Sequence, residues 1–405
     1  MRKLVLIILV LLMVGISPVI SWAGELEDAK ERVRLNPNDA VAHNYLGAVY
    51  GASGQHQDAI ASFKEAIRIN PDFVAAHHNL GYTYNELGQY RDGIASLKEA
   101  IRIYPDYANA HYNLGIAHGK LGQHQDAIAS FKEAIRINPD SANAHHNLGY
   151  TYNELGQHQD AIASFKEAIR IKPDDTDTYL NLGHIYLGQG KINTALTILE
   201  KADQIAPNNL HTLASLGMVY WELDKPQEAL KVLGQALDSN PESPEDLGWV
   251  FSNLAEVYER LGKYDDAIEA SKKALEIDYD DPLANFILGL SYDAKGDGLN
   301  AISHMVVAKK QFQESKKNYA GVSKWDKRNK RKYLANSSMK LRTFYEKYKF
   351  NPEDFGEPPI KNIPIAPPQT AQVKEKNPPE EQTPRSGIGS GFFVSKMGHV
   401  ITNAH

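Results

Sequence analysis

A glycine returns every 34 residues along most of this chain, at Gly47, Gly81, Gly115, Gly149, Gly183 and Gly217. The step slips once by four residues, to Ala255, and resumes at Gly289. A fixed period of this length belongs to stacked arrays, in which each unit buries its apolar face against the next. An array offers partners a long surface and does not by itself imply an active site.

Residues 74–107 show one period. Leu80, Gly81 and Tyr84 share a face of a first helix, and Gly88 follows where a left-handed residue stops it. Ile94, Leu97, Ala100 and Ile101 form a second helical stripe, which Pro105 ends. Asp106 is placed as the cap of the next first helix. Glycine inside a helix costs about 1 kcal/mol relative to alanine. Its return implies that the two helices cross closely there, with Ala59, Gly93, Ala127, Ala161, Ala195, Ala229, Ala267 and Ala301 as the small residues expected opposite.

The spaced Leu46-Gly47, Tyr50, Ala59, Phe63, Ala66 and Pro71 resemble the tetratricopeptide repeat, a helix–turn–helix unit of 34 residues. The resemblance covers eight periods: 40–73, 74–107, 108–141, 142–175, 176–209, 210–243, 248–281 and 282–315. It implies an all-α fold, a right-handed superhelix or α-solenoid whose first helices line the concave side. Residues 24–39 are expected to add an N-terminal capping helix. His43, His77, His111, His145 and Tyr179 replace the family's usual tryptophan.

By the same resemblance, the sixth position of each repeat faces the groove. It holds Asn79, Asn113, Asn147, Asn181 and Asn253, with Tyr45, Ser215 and Ile287 breaking the series. An asparagine amide donates and accepts at once, as a peptide backbone does, so the expected partner is a protein or peptide held in extended form. No Lys or Arg stands where relatives clamp a terminal carboxylate. The histidines follow the repeat period and lack metal-ligand spacing, so neither a metal nor another cofactor is expected. The chain has no cysteine, which excludes disulfides and thiolate sites.

The net charge of −6 is unevenly spread. Residues 24–315 carry about −17, whereas 316–350 carry twelve Lys/Arg against Asp326 and Glu346. That basic stretch, with Tyr319, Trp325, Tyr333, Phe344, Tyr345 and Tyr348, reads as a C-terminal capping helix docked on the acidic repeats. Contact with an anionic membrane or envelope polymer is the second reading, and nucleic acid is not expected.

Arg2 and Lys3, the apolar run Leu4–Ile20 and Ser21-Trp22-Ala23 read as an export signal over 1–23. They place the rest of the chain in a bacterial periplasm or cell envelope. Residues 351–386 hold nine prolines and read as an extended linker. Residues 387–405 contain Gly389-Ser390-Gly391-Phe392 and end in Thr402-Asn403-Ala404-His405. They resemble the opening strands of a trypsin-like protease domain of the HtrA (Deg) type. That resemblance implies His405 as the general base of a Ser-His-Asp triad whose other members are not in this sequence. Ser390 does not lie in a nucleophile turn. The chain as given is therefore expected to lack protease activity and to be an adaptor from a parent serine endopeptidase. The alternative is a non-enzymatic envelope scaffold.

Overall fold

A computed structural model of the protein describes residues 18–239, 244–314 and 324–357. The first seventeen residues of the export segment, part of the basic stretch (316–323), most of the proline-rich linker and the 387–405 segment with Ser390 and His405 lie outside them. Among the described residues there are eighteen α-helices, two short 3-10 turns and no strand.

The chain divides into two units, up to Ile171 and from Lys172. The first contains α1 (Pro18–Leu35) and four hairpins: α2 (Ala40–Ala52) with α3 (His56–Ile69), α4 (Val74–Glu86) with α5 (Tyr90–Ile103), α6 (Ala108–Lys120) with α7 (His124–Ile137), and α8 (Ala142–Glu154) with α9 (His158–Ile171). The second contains α10 (Thr176–Gly188) with α11 (Ile192–Ile205), α12 (Leu210–Glu222) with α13 (Pro226–Leu237), α14 (Gly248–Arg260) with α15 (Tyr264–Ile277), and α16 (Pro282–Ala294) with α17 (Gly298–Glu314). It ends in α18 (Lys324–Tyr348) and a 3-10 turn, Pro352–Phe355. The four-residue slip in the period is the other 3-10 turn, Pro244–Leu247.

The helices do cross closely, as the sequence implies: a Cβ on Gly81 would stand 3.1 Å from the Gly93 carbonyl oxygen and one on Gly289 3.2 Å from that of Ala301. A nearer obstacle recurs at the glycines. A Cβ on Gly47 would stand 2.6 Å from Phe63 Cε1, and one on Gly81, 2.6 Å from Leu97 Cγ. The same conflict recurs with Phe131 at Gly115, Phe165 at Gly149, Leu199 at Gly183, Leu233 at Gly217 and Met305 at Gly289. The obstacle is thus the large buried side chain sixteen residues on, more than a facing alanine. Where the column reads Ala255, its partner is the small, buried Ser271.

Capping also departs from expectation. Asp106 does not cap α6, whose N-cap is Tyr107 with no side-chain hydrogen bond. Asp106 instead accepts from Arg136 at 2.6 Å, as Asp72 does from Arg102 at 3.2 Å, tying successive turns across the surface. These pairs are exposed, and each contributes little by itself. The histidines in the tryptophan column tie each first helix to the turn before it. Nε2 of His43, His77, His111 and His145 lies 2.8–3.1 Å from the carbonyls of Pro37, Pro71, Pro105 and Pro139, with the N–H as donor. Tyr179 makes the equivalent bond to Pro173 through its hydroxyl at 3.2 Å.

Residues 351–357, which composition assigns to the linker, are packed. Pro352 is buried, and Phe355 lies against Tyr345 and Phe350. Glu357 pairs with Lys309, both side chains being about nine-tenths buried.

Candidate binding surfaces of the first helices

The asparagine column falls on first helices in both units: Asn79, Asn113 and Asn147 in the first, Asn181 and Asn253 in the second. In the first unit each amide reaches back 35 residues to the preceding repeat. Asn79 Nδ2 donates to Asn44 Oδ1 at 3.1 Å, Asn113 Nδ2 to His78 Nε2 at 3.0 Å, and Asn147 Nδ2 to the Tyr112 hydroxyl at 2.9 Å. His78 Nδ1 lies 3.3 Å from Asn79 Oδ1. These contacts require a neutral imidazole with its proton on Nδ1, and burial lowers the His78 pKa accordingly. Asn113, His78, Asn79 and Asn44 therefore form one wired row across three repeats.

Burial pushes the Tyr112 and Tyr150 hydroxyls up to about 12 and raises Tyr82 as well. All three stay protonated donors at neutral pH. Burial also raises the carboxyl of Glu154, one turn beyond Tyr150. The segments 77–88 and 145–156 are identical in sequence, yet their asparagines differ in use. Asn153 Oδ1 accepts from His158 Nδ1 at 3.0 Å. Position 90 holds Tyr instead of His, and Asn85 turns inward to donate to the Asn113 carbonyl at 3.0 Å. A Cβ on Gly93 would stand 2.2 Å from Asn85 Oδ1, which is why glycine replaces the alanine of the other copies.

The second unit is built differently. Asn181 is half-buried on α10. Ser215 takes the sixth position on α12, where it donates to the His211 carbonyl at 2.7 Å and accepts from His184 Nε2 at 2.9 Å. Burial, with His211 nearby, pushes His184 down to about 4. Asn253 lines a small hollow with Met218, Trp221, Glu222, Glu256 and Tyr333. Tyr333 belongs to α18, so α18 lies over the first helices here. Its hydroxyl donates to Glu256, and its ring packs against Phe286 (5.3 Å) and Phe312 (5.7 Å). At the other end of α18, Lys347 Nζ and the Tyr348 hydroxyl reach Asp293 Oδ1 at 2.7 and 2.9 Å. Leu341, Phe344 and Tyr345 are fully buried in the core of the unit. The sequence signals a basic helix with an apolar face, but not that Glu256, Phe286 and Asp293 receive it.

No group of three or more His, Asp or Glu among the described residues could hold a metal ion. No described helix is long and apolar enough to cross a membrane.

Family models of the tetratricopeptide repeat match residues 52–88, 72–139, 112–176, 152–217, 186–247 and 220–286. The matches join without a gap over more than half of the chain. No curated protein matches it. Among solved structures, MamA is 30% identical over 41% of this chain and 91% of its own, with a TM-score of 0.39. The APC/C hetero-tetramer Cut9–Hcn1 is 18% identical over 73% of this chain and 55% of its own, with a TM-score of 0.51. YrrB, described as a TPR protein with an unusual peptide-binding site, is 21% identical over 46% of this chain and 97% of its own, at 0.41. With these repeat matches, helices as the only regular elements among the described residues and hairpins that recur at the repeat period, the chain belongs to the tetratricopeptide repeat family.

Proposed function

We propose that the protein is an exported adaptor that holds an extended polypeptide along the first helices of its first unit. The observation that carries this reading is the wired row Asn44–Asn79–His78–Asn113, with Tyr82, Tyr112, Asn147 and Tyr150 beside it. Hydrogen bonds between repeats fix these amides in orientation, and a preorganised donor–acceptor row loses little entropy when a chain binds. Asn79, Asn113 and Asn147 each spend one donor on the preceding repeat, and the half-buried Asn79 and Asn147 keep a second donor for a ligand. The array's excess of acid favours partners without net negative charge.

The test is fluorescence anisotropy of labelled unfolded polypeptides titrated with the full chain. Asn113→Ala/Asn147→Ala is expected to weaken binding roughly ten- to thirty-fold, about one hydrogen bond's net worth for each amide. Unchanged affinity in a variant of normal helicity would remove the asparagine row from the binding surface.

Two sequence features extend the proposal. Residues 1–23 direct export, and 387–405 open a protease domain in which His405 is the general base. The repeats then recruit substrate, and the linker raises its local concentration at the protease. The intact mass of the native product from the envelope fraction tests both. It is expected to begin at Gly24 and to continue past His405. A cytoplasmic product retaining Met1, or one that ends at 405, would remove the corresponding half.

A further inference from the structure

The inner side of the second unit is covered by a helix of opposite charge. α18 carries nine Lys/Arg against Asp326 and Glu346. The carboxylates facing it come from α12, α14 and α16: Glu222 and Glu256 near Tyr333, Glu259 near Lys340, and Asp293 at Lys347. The fit is uneven along the helix. From Leu341 onward its apolar side chains are core. One turn earlier a pocket of about 280 Å³ lies along the helix, lined by Trp221, Phe286, Leu290, Tyr333, Asn336 and Met339, and Met339 is 46% exposed. A permanent cap closes such space to interior density, because every unfilled contact forfeits dispersion energy. In this stretch α18 is held by Tyr333, by Leu334 and the fully buried Ser337, and by partly solvated charges, while Met339 stands over the open pocket.

We propose that the inner face of the second unit is a receptor for basic amphipathic helices, with residues 333–340 of α18 as its resident occupant. A partner helix of the same chemistry displaces them while 341–348 remain packed. The visitor places an aromatic ring between Phe286 and Phe312, an apolar side chain in the pocket beside Trp221 and Leu290, and cationic side chains against Glu222, Glu256 and Glu259. Charge complementarity selects a cationic helix over an extended neutral chain, which lacks both the charge and the spacing of the anchors. This site stands apart from the asparagine row of the first unit and does not depend on it. Because the resident is tethered, it competes at a high effective concentration, and the apparent affinity for a visitor falls by the fraction of time the face is open.

The probe is a fluorescein-labelled, amidated synthetic peptide with the sequence of residues 324–348, titrated into the full chain. Tyr333→Ala in the protein weakens the resident and is expected to tighten peptide binding roughly tenfold or more. Glu256→Gln/Glu259→Gln in that background is expected to abolish the gain, as is Tyr333→Ala in the peptide. Raising the salt is expected to weaken binding. Hydrogen exchange of the unaltered protein provides an arm that needs no variant: added peptide is expected to speed exchange at 333–340 and leave 342–348 protected. Equal binding by wild type and Tyr333→Ala, or exchange unchanged by saturating peptide, would overturn the proposal. So would polylysine binding as tightly as the peptide, since charge alone would then explain the contact.

Discussion

Gly115→Ala is expected to destabilise the first unit by about 1–3 kcal/mol, the usual cost of overpacking, although on an open helix the change would stabilise by about 1 kcal/mol. The new Cβ would meet Phe131 at 2.6, 2.7 and 2.9 Å on three ring atoms. That ring is 2% exposed and lies against Tyr112, so it cannot rotate away without disturbing the next contact. Phe131→Ala alone is expected to cost about 3–5 kcal/mol through lost burial and the cavity it leaves. In the double variant the added methyl group enters the space vacated by the ring. Its cost should therefore fall short of the sum of the two by at least about 1 kcal/mol. Urea unfolding of the four proteins, followed by helicity, measures this coupling. Strictly additive costs would show that the ring is not what excludes a side chain at position 115. The chain already contains the compensated form, Ala255 with Ser271, whose hydroxyl is buried without a hydrogen-bond partner.

That pairing shows how far the sequence could be read. The 34-residue period is enough to place every hairpin, and the positive φ of Gly54, Gly88 and Gly122 confirms the turns that end the first helices. The reason for the mid-helix glycine was also within reach. Phe, Leu or Met follows it by sixteen residues wherever glycine stands, and Ser follows where alanine stands. Periodicity draws attention to conserved-looking columns, however, and away from pairs of columns that change together. The asparagine row was legible as a column and illegible as a network. Its partners Asn44, His78 and Tyr112 share no chemistry except the ability to accept a hydrogen bond. Asn253 reads like the others, yet lies under α18, because the docking of that helix depends on contacts such as Tyr333 with Glu256, 77 residues apart. Proline content marks a linker from 351, but its first seven residues meet the fold through buried Pro352, the Phe355 ring and the Glu357–Lys309 pair.

Breaking that pair is expected to have the other large effect. Glu357→Ala leaves the Lys309 ammonium, on a residue 8% exposed, without its carboxylate. Stranding a buried charge typically costs about 3–5 kcal/mol. The loss should fall on the second unit, where Phe355 and Tyr345 pack together, and leave the first unit's own unfolding unchanged. Lys309→Met/Glu357→Leu removes both charges and keeps the apolar bulk. It should recover most of the stability or exceed the wild type, because desolvating two ions offsets much of their mutual attraction. Lys309→Met alone strands the carboxylate and should rank with Glu357→Ala. A double variant as unstable as either single would mean that the attraction exceeds the desolvation penalty, and that the turn is held on α17 by charge. Recovery would mean that the pair fixes where the chain leaves the fold, while the apolar contacts of Pro352 and Phe355 provide most of the stability.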